Sequence, residues 1–171
     1  MIISKTPYRI SFFGGGTDYP SWFLKNEGHV ISTSIDKYIY ISCRYLPPFF
    51  KHRIRLVYSN IEEGSSVKDL KHKSAKAVLN YLDTHKDIEI HYDGDLPARS
   101  GVGSSSAFTV GLVNALNAYN KKKISKKNVS KDSIFIEQKI IKENVGSQDQ
   151  VSTAYGGLNY IKFKSNGDFN V

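Results

Sequence analysis

Apolar and polar positions alternate with a period of two through Tyr8-Arg9-Ile10-Ser11-Phe12-Phe13, which predicts a strand running into Gly14-Gly15-Gly16. Pro20 suits the first turn of a short helix, and Asp18 stands where it can cap that helix. Lys37 to Tyr45, rich in Tyr and Ile, and Arg53 to Tyr58 read as two further strands. Over residues 67–83 the period changes. Leu70, Ala77, Val78, Tyr81 and Leu82 recur at helical spacing, which predicts an amphipathic helix. Ile88 to Tyr92 returns to strand alternation and ends at Asp93-Gly94-Asp95. A loop of glycine and serine then opens an almost wholly apolar segment, from about Ser105 to Tyr119, predicted as a helix buried on most sides. A further helix is expected from Ser130-Lys131-Asp132 to about Asn144, stopped by Gly146. Leu158 to Phe163 is the last full strand, and Ser165-Asn166-Gly167-Asp168 is a hairpin turn. Only Phe169-Asn170-Val171 follow that turn, so the returning strand has barely begun and the chain is expected to be a piece of a longer protein.

Composition narrows the class. In 171 residues, 40% are hydrophobic, 12% aromatic and 23% charged, which excludes intrinsic disorder and fits one folded unit with a core. No apolar run reaches the roughly 18 residues of a membrane-spanning helix, and Thr6-Pro7 interrupts the start before a signal-peptide core can form. A single cysteine, Cys43, excludes an internal disulfide and a cysteine metal cage, and a reducing cytoplasm is the expected compartment. The net charge of +8 asks for an anionic partner. Its excess gathers in Lys121–Lys127 and in Lys51–Arg55, which read as solvated surface ahead of a binding patch. No nucleic-acid module is recognisable around them, so nucleic acid is not the expected partner, and neither is a membrane.

Three segments carry chemistry. In Leu96-Pro97-Ala98-Arg99-Ser100-Gly101-Val102-Gly103-Ser104-Ser105-Ser106-Ala107 a strand delivers the chain into a glycine loop that runs straight into a buried helix. Loop amides turned inward, together with the positive end of a helix dipole, make an anion site, and serine hydroxyls add donors or a metal ligand. The loop lacks the Gly-Lys-Ser/Thr of a Walker A sequence. In Thr6–Tyr19, three glycines allow close backbone approach, and Asp18 can accept bonds from sugar hydroxyls or cap the short helix. Glu137 stands three residues after Ile134 and four before Ile141, so a helix puts its carboxylate on an apolar face, where a cation or a lysine would have to meet it. Asp149 lies in Gly146-Ser147-Gln148-Asp149-Gln150, read as a rigid polar turn able to hold a base against a hydroxyl, or simply as a cap. The five histidines are scattered without metal-ligand spacing.

Together, Pro97-x-x-x-Gly101-Val102-Gly103-Ser104-Ser105-Ser106, Arg9 with Gly16-Thr17-Asp18-Tyr19, and Gln148-Asp149-Gln150 resemble the GHMP kinase family. The Thr6–Tyr19 segment and the Asp95–Gly101 lead-in are similar to the heptose 7-phosphate kinases within it. The resemblance implies an α+β fold, a mixed β-sheet with helices on one face and a left-handed β-α-β crossover. It also implies ATP and Mg2+, with a phosphorylated sugar as acceptor, and a product destined for nucleotide-activated heptose and bacterial surface polysaccharide. Residues 1–171 would be the N-terminal ATP-binding half, weak or inactive alone. Pro97, Arg99, Ser100, Gly101, Val102, Gly103, Ser104, Ser105 and Ser106 would hold ATP, and Ser105 (or Ser104) and Glu137 would hold Mg2+. Asp149 would orient or deprotonate the attacking hydroxyl and Arg9 would stabilise charge there, while Gly15, Gly16, Thr17, Asp18, Tyr19 and Gln148 would line the sugar. The triglycine departs from the Glu-His that precedes Thr-Asp-Tyr in galactokinases, and Ser147 stands where lysine is expected in the heptose subgroup. Another GHMP sugar kinase, fucokinase-like, and a non-catalytic nucleotide- or RNA-binding module are the rival readings.

Overall fold

The computed structural model describes every residue except Lys86 and Arg99. Its framework is strand β2, Gly28–Tyr45, which is 18 residues long. Strand β1, Ile2–Phe13, runs antiparallel along one edge of β2. On the other edge, β2 pairs in succession with β6, Leu158–Phe163, and with β5, Ile88–Gly94. Outside β5 lies the parallel β3, Ile54–Val57, and then β4, Ile61–Gly64; outside β6 lies the short β7, Phe169–Asn170. The sheet is therefore mixed, as the resemblance implies.

Period-two alternation decides which face of the sheet is dry. Ile39, Ile41 and Cys43 of β2 and Ile88 and Ile90 of β5 are fully buried under the helices. On the opposite face, Arg44, Arg55 and His91 surround Glu89, which is only 1% exposed. Arg53 pairs with Asp87 and Arg55 with Glu63, so the basic stretch at 51–55 is spent largely on internal ion pairs. The lysine-rich stretch is mostly exposed, with Lys127 and Lys131 both bridging to Asp168 at the last hairpin.

Helix α3, Ser104–Tyr119, lies across β1 and β2, and Ser4 Oγ donates to the Gly111 carbonyl at 2.8 Å to fix the contact. Helix α2, Lys73–Tyr81, is shorter than the helix expected over 67–83. Ser66 and Asp69 close a capping box around a separate 3-10 turn, Val67–Asp69, after which Leu70 is extended. His72 then caps α2 by accepting from the Ala75 amide. The helix expected from Ser130 begins earlier, as α4, Lys126–Phe135, because Ser125 Oγ caps the Asn128 amide. It widens into a π-helical segment, Ile136–Ile141, and ends at Lys142 in a left-handed conformation, ahead of the predicted stop at Gly146.

Gln148-Asp149-Gln150 is not a turn. It opens helix α5, Gln148–Tyr155, whose eight residues are too few to declare a helical period. The other correction concerns Asp18. Helix α1, Pro20–Asn26, has Tyr19 at its cap position with no side-chain capping bond, and the Asp18 carboxylate turns away to α5. A second apolar cluster, including Phe23, Val30, Val151 and Phe163, seals α1 and α5 against β6. Ile90, fully buried on a central strand, and Leu158, 75% exposed, give a contrast. Ile90→Ala should cost roughly 2–5 kcal/mol in urea unfolding, and Leu158→Ala no more than about 0.5 kcal/mol.

Candidate active site

One irregularity in β1 creates the site. The β1–β2 register shifts between Pro7 and Arg9, which breaks the alternation so that fully buried Tyr8 is followed at once by Arg9, itself only 12% exposed. Arg9 Nε and Nη2 donate to the two carboxylate oxygens of Asp149, each at 2.8 Å. Its remaining arm, Nη1, donates to the Gly101 carbonyl at 2.8 Å, and the Arg9 amide donates to the Val102 carbonyl at 3.1 Å. A single arginine thus joins the first strand, the glycine loop and the first turn of α5. A two-pronged guanidinium–carboxylate pair fixes direction as well as distance.

The glycine loop is shaped by that pair. Gly103, in the left-handed region at φ 75°, is the cap residue of α3. A Cβ placed there would sit 3.3 Å from both Arg9 Cγ and Asp149 Oδ2, so the position has neither the backbone freedom nor the space for another residue. Ser104 and Ser105 follow at the mouth of α3, where helix amides and dipole favour an anion.

Behind the loop, the π-helical segment carries Glu137, 1% exposed. Its Oε2 accepts from Ser106 Oγ at 2.9 Å and from the Gln150 side-chain amide. Its Oε1 is buried with no hydrogen-bond partner. Burial pushes the carboxyl up, opposed by the donors around it. Among the loop serines, the hydroxyl bonded to Glu137 is that of Ser106, one residue beyond the serine expected to share a cation with it, and the Thr109 hydroxyl also acts on this carboxyl. Among the described residues no cluster of three or more His, Cys, Asp or Glu could cage a metal. A cation here would complete its shell with hydroxyls, water and ligand oxygens, which suits Mg2+. The orphaned Oε1 fits such a group.

Asp149 is also held above the usual carboxylate range, by burial first, with Arg9 pulling the other way and the charge of Asp18 adding to the rise. Arg9, Asp149, Gly101, Ser104–Ser106 and Glu137 line one cleft of about 390 Å3, together with Asp18, Tyr19 and Gln148. The structure therefore unites the three segments that the sequence singled out. Some expected contacts are already spent. Thr17 Oγ1 donates to the Gly14 carbonyl and accepts from the His29 amide, and Gln148 Oε1 accepts from Ser11 Oγ. Gly15 and Gly16 are exposed beside the cleft and do not line it, and neither do Pro97, Ser100 and Val102. Arg99 lies outside the described residues.

A second cavity, about 430 Å3, adjoins the first at Ser104, Ser105 and Glu143. Its walls are aromatic: Tyr58 meets His72 edge-on at 5.0 Å, His72 lies 4.7 Å from Phe108, and Tyr92 meets Phe108 edge-on at 5.3 Å. Flat, apolar walls beside an anion cradle suit a nucleobase. Sequence reading missed this cavity because its four aromatic side chains come from stretches far apart along the chain.

Comparison with known proteins agrees with this geometry. The chain is 26% identical over 96% of its length to D-glycero-alpha-D-manno-heptose 7-phosphate kinase of Campylobacter jejuni, covering 51% of that protein. It is 27% identical to the mevalonate kinase of Saccharolobus solfataricus over 94% of its length, again covering 51% of the relative. The chain spans about half the length of these two curated relatives. The crystal structure of a D-glycero-D-manno-heptose 1-phosphate kinase from Bacteroides thetaiotaomicron superposes with a TM-score of 0.92 at 26% identity, over all of this chain and 59% of that one. The profile described as GHMP kinases N terminal domain matches residues 69–157, which run from the turn before α2 through the glycine loop, Glu137 and Asp149 to the end of α5. With more than half of its length matched, the chain belongs to the GHMP kinase N-terminal domain family.

Proposed function

We propose that this chain is the ATP-binding half of a sugar kinase that phosphorylates the anomeric hydroxyl of D-glycero-D-manno-heptose 7-phosphate in the cytoplasm. The observation that carries the reading is the pairing of Arg9 with Asp149 inside the cleft shared by the glycine loop and Glu137. The sugar is suggested by the heptose phosphate kinases among the relatives, which match over nearly the whole chain. Mevalonate kinase matches at similar identity, so the kinase reading is broader than the choice of acceptor. The relatives are about twice as long, and this chain by itself is expected to turn substrate over weakly or not at all.

In this reading the amides and hydroxyls of Gly101 to Ser106 hold the phosphate oxygens, and the aromatic cavity takes the base. Glu137 and the adjacent serines hold Mg2+, which supplies charge neutralisation at the phosphates. Asp149 takes the proton from the attacking sugar hydroxyl. Each of its oxygens keeps a lone pair beyond those engaged by Arg9, so pairing does not bar a hydroxyl. Burial lifts the basicity of the carboxylate, while Arg9 holds it ionised and balances negative charge gathering at the transferred phosphoryl group. Asp18, Tyr19 and Gln148 stand on the acceptor side of the cleft.

Asp149 works as a base only when ionised. Phosphoryl transfer by an active form of the enzyme should therefore fall as pH drops through its raised value, giving an acid limb above the usual carboxylate range. Asp149→Asn should remove that limb and lower the rate about 10²–10⁴-fold, read in a coupled ADP assay across pH. An Asp149→Asn variant with near wild-type turnover would end the assignment.

Glu137 tests the cation. Its carboxyl is raised on folding, so the folded chain binds more protons than the unfolded one between the ordinary and the raised value, and stability falls as pH rises through that window. Glu137→Gln, which can pair with the unsatisfied Gln150 Oε1, should make the metal-free chain more stable at pH 7. The same change should reduce the Mg2+-dependent part of AMPPNP affinity at least about tenfold in calorimetry (a change of about 1.4 kcal/mol). Equal Mg2+ dependence in both proteins would place the cation elsewhere.

A further inference from the structure

Asp18 was expected either to cap the helix that follows it or to receive sugar hydroxyls. It does not cap that helix, and most of its acceptor capacity is already used within the chain. The residue is 1% exposed. Its Oδ1 accepts from the Gly16 amide at 3.0 Å and from Gln148 Nε2 at 3.3 Å, and its Oδ2 accepts from the Gln148 amide at 3.0 Å. Its backbone carbonyl accepts from the Ser147 amide at 3.0 Å. Three of these four donors belong to Ser147 and Gln148, some 130 residues along the chain.

Those donors are the ones a helix start leaves unpaired. Ser147 holds the cap position of α5 yet makes no side-chain capping bond, so the first-turn amide of Gln148 relies on Asp18 instead. A carboxylate at this end of α5 also complements the helix dipole. Gly146 records the closeness of the fit, since a Cβ there would fall 1.9 Å from Asp18 Oδ2. From the other side, Gln138 Nε2 in the π-helical segment donates to the Val145 carbonyl at 3.0 Å and to Ser147 Oγ at 3.1 Å. Asp149 is the next residue after Gln148, and it is the one whose two oxygens must face Arg9.

We propose that Asp18 is a positioning residue: it caps α5 from across the cleft, and so sets the place where Asp149 meets Arg9. The catalytic meaning of this placement rests on the kinase reading above. The capping itself does not.

Hydrogen exchange in the ¹⁵N-labelled chain tests it at two sites, the Gln148 amide and the Arg9 Nε–H. Asp18→Ala should speed exchange at both at least tenfold, while core amides of β2 such as Ile41 keep wild-type protection. Asp18→Asn preserves the shape with one acceptor oxygen, and should fall between the two. If Asp18→Ala does not fold, Asp18→Asn decides alone, with exchange at Gln148 at least threefold faster. Wild-type exchange at both sites in a folded variant overturns the proposal. It is equally overturned if Asp18→Asn weakens binding of D-glycero-D-manno-heptose 7-phosphate tenfold while leaving both exchange rates alone, since Asp18 would then be a hydroxyl ligand. If the wild-type chain binds neither AMPPNP with Mg2+ nor the sugar phosphate, yet the exchange results hold, the kinase reading falls and the cap stands.

Discussion

The cleft depends on one half-buried ion pair spanning almost the whole chain. Arg9 and Asp149 are 140 residues apart in sequence, and their contact ties the first strand to the last helix with the glycine loop caught between them. A pair this enclosed is not chosen for stability alone. Desolvation takes back much of what attraction supplies, as the upward push on the Asp149 carboxyl indicates. What the pair contributes is direction: a planar guanidinium fixes where a carboxylate points. Glu137 sits under the same strain, ionisable, enclosed and short of one partner. Two uncomfortable acids in one cleft, beside a loop built to receive an anion, are the pattern of a functional site and not of a packing core.

How much of this was legible in the sequence varied with the range of the forces involved. Strands β3, β5 and β6 announced themselves through a local period, β1 only in its second half, Tyr8–Phe13, and helix α3 through an almost unbroken apolar run. The long β2 was half seen, since residues 28–33 pair with β6 and carry polar Ser and Thr positions that only tertiary contacts explain. Helix α5 was invisible because eight residues with few apolar anchors carry almost no periodic signal, and its cap lies 130 residues away. The expected helix over 67–83 split because a capping box and a histidine cap outweighed a plausible amphipathic stripe.

The expected site residues meet in one cleft as a group, while several individual contacts differ from what motif spacing suggests. Motif spacing brings Arg9, Asp149, Glu137 and the glycine loop to notice, but spacing cannot say which serine turns inward, and Ser106 does. It cannot say that Thr17 is absorbed in fixing the Gly14 turn against His29. Nor does charge counting foresee that arginines 53 and 55 answer to acids of this same chain rather than to an outside anion. Each miss is a question of partners distant in sequence, which no window along the chain contains.

Strand β2 has a mechanical consequence. It is one uninterrupted ribbon, and the sheet half bearing β5, β3 and β4 hangs from its C-terminal stretch while β6 and β7 hang from its N-terminal stretch. Two wings bolted to one spar cannot flap separately without tearing a ladder of backbone bonds along β1. The cleft's other walls, the glycine loop and the start of α5, lie outside that spar and are tied back to it through Arg9 of β1, so the stiffness of the ribbon is handed on to the reacting groups by one side chain.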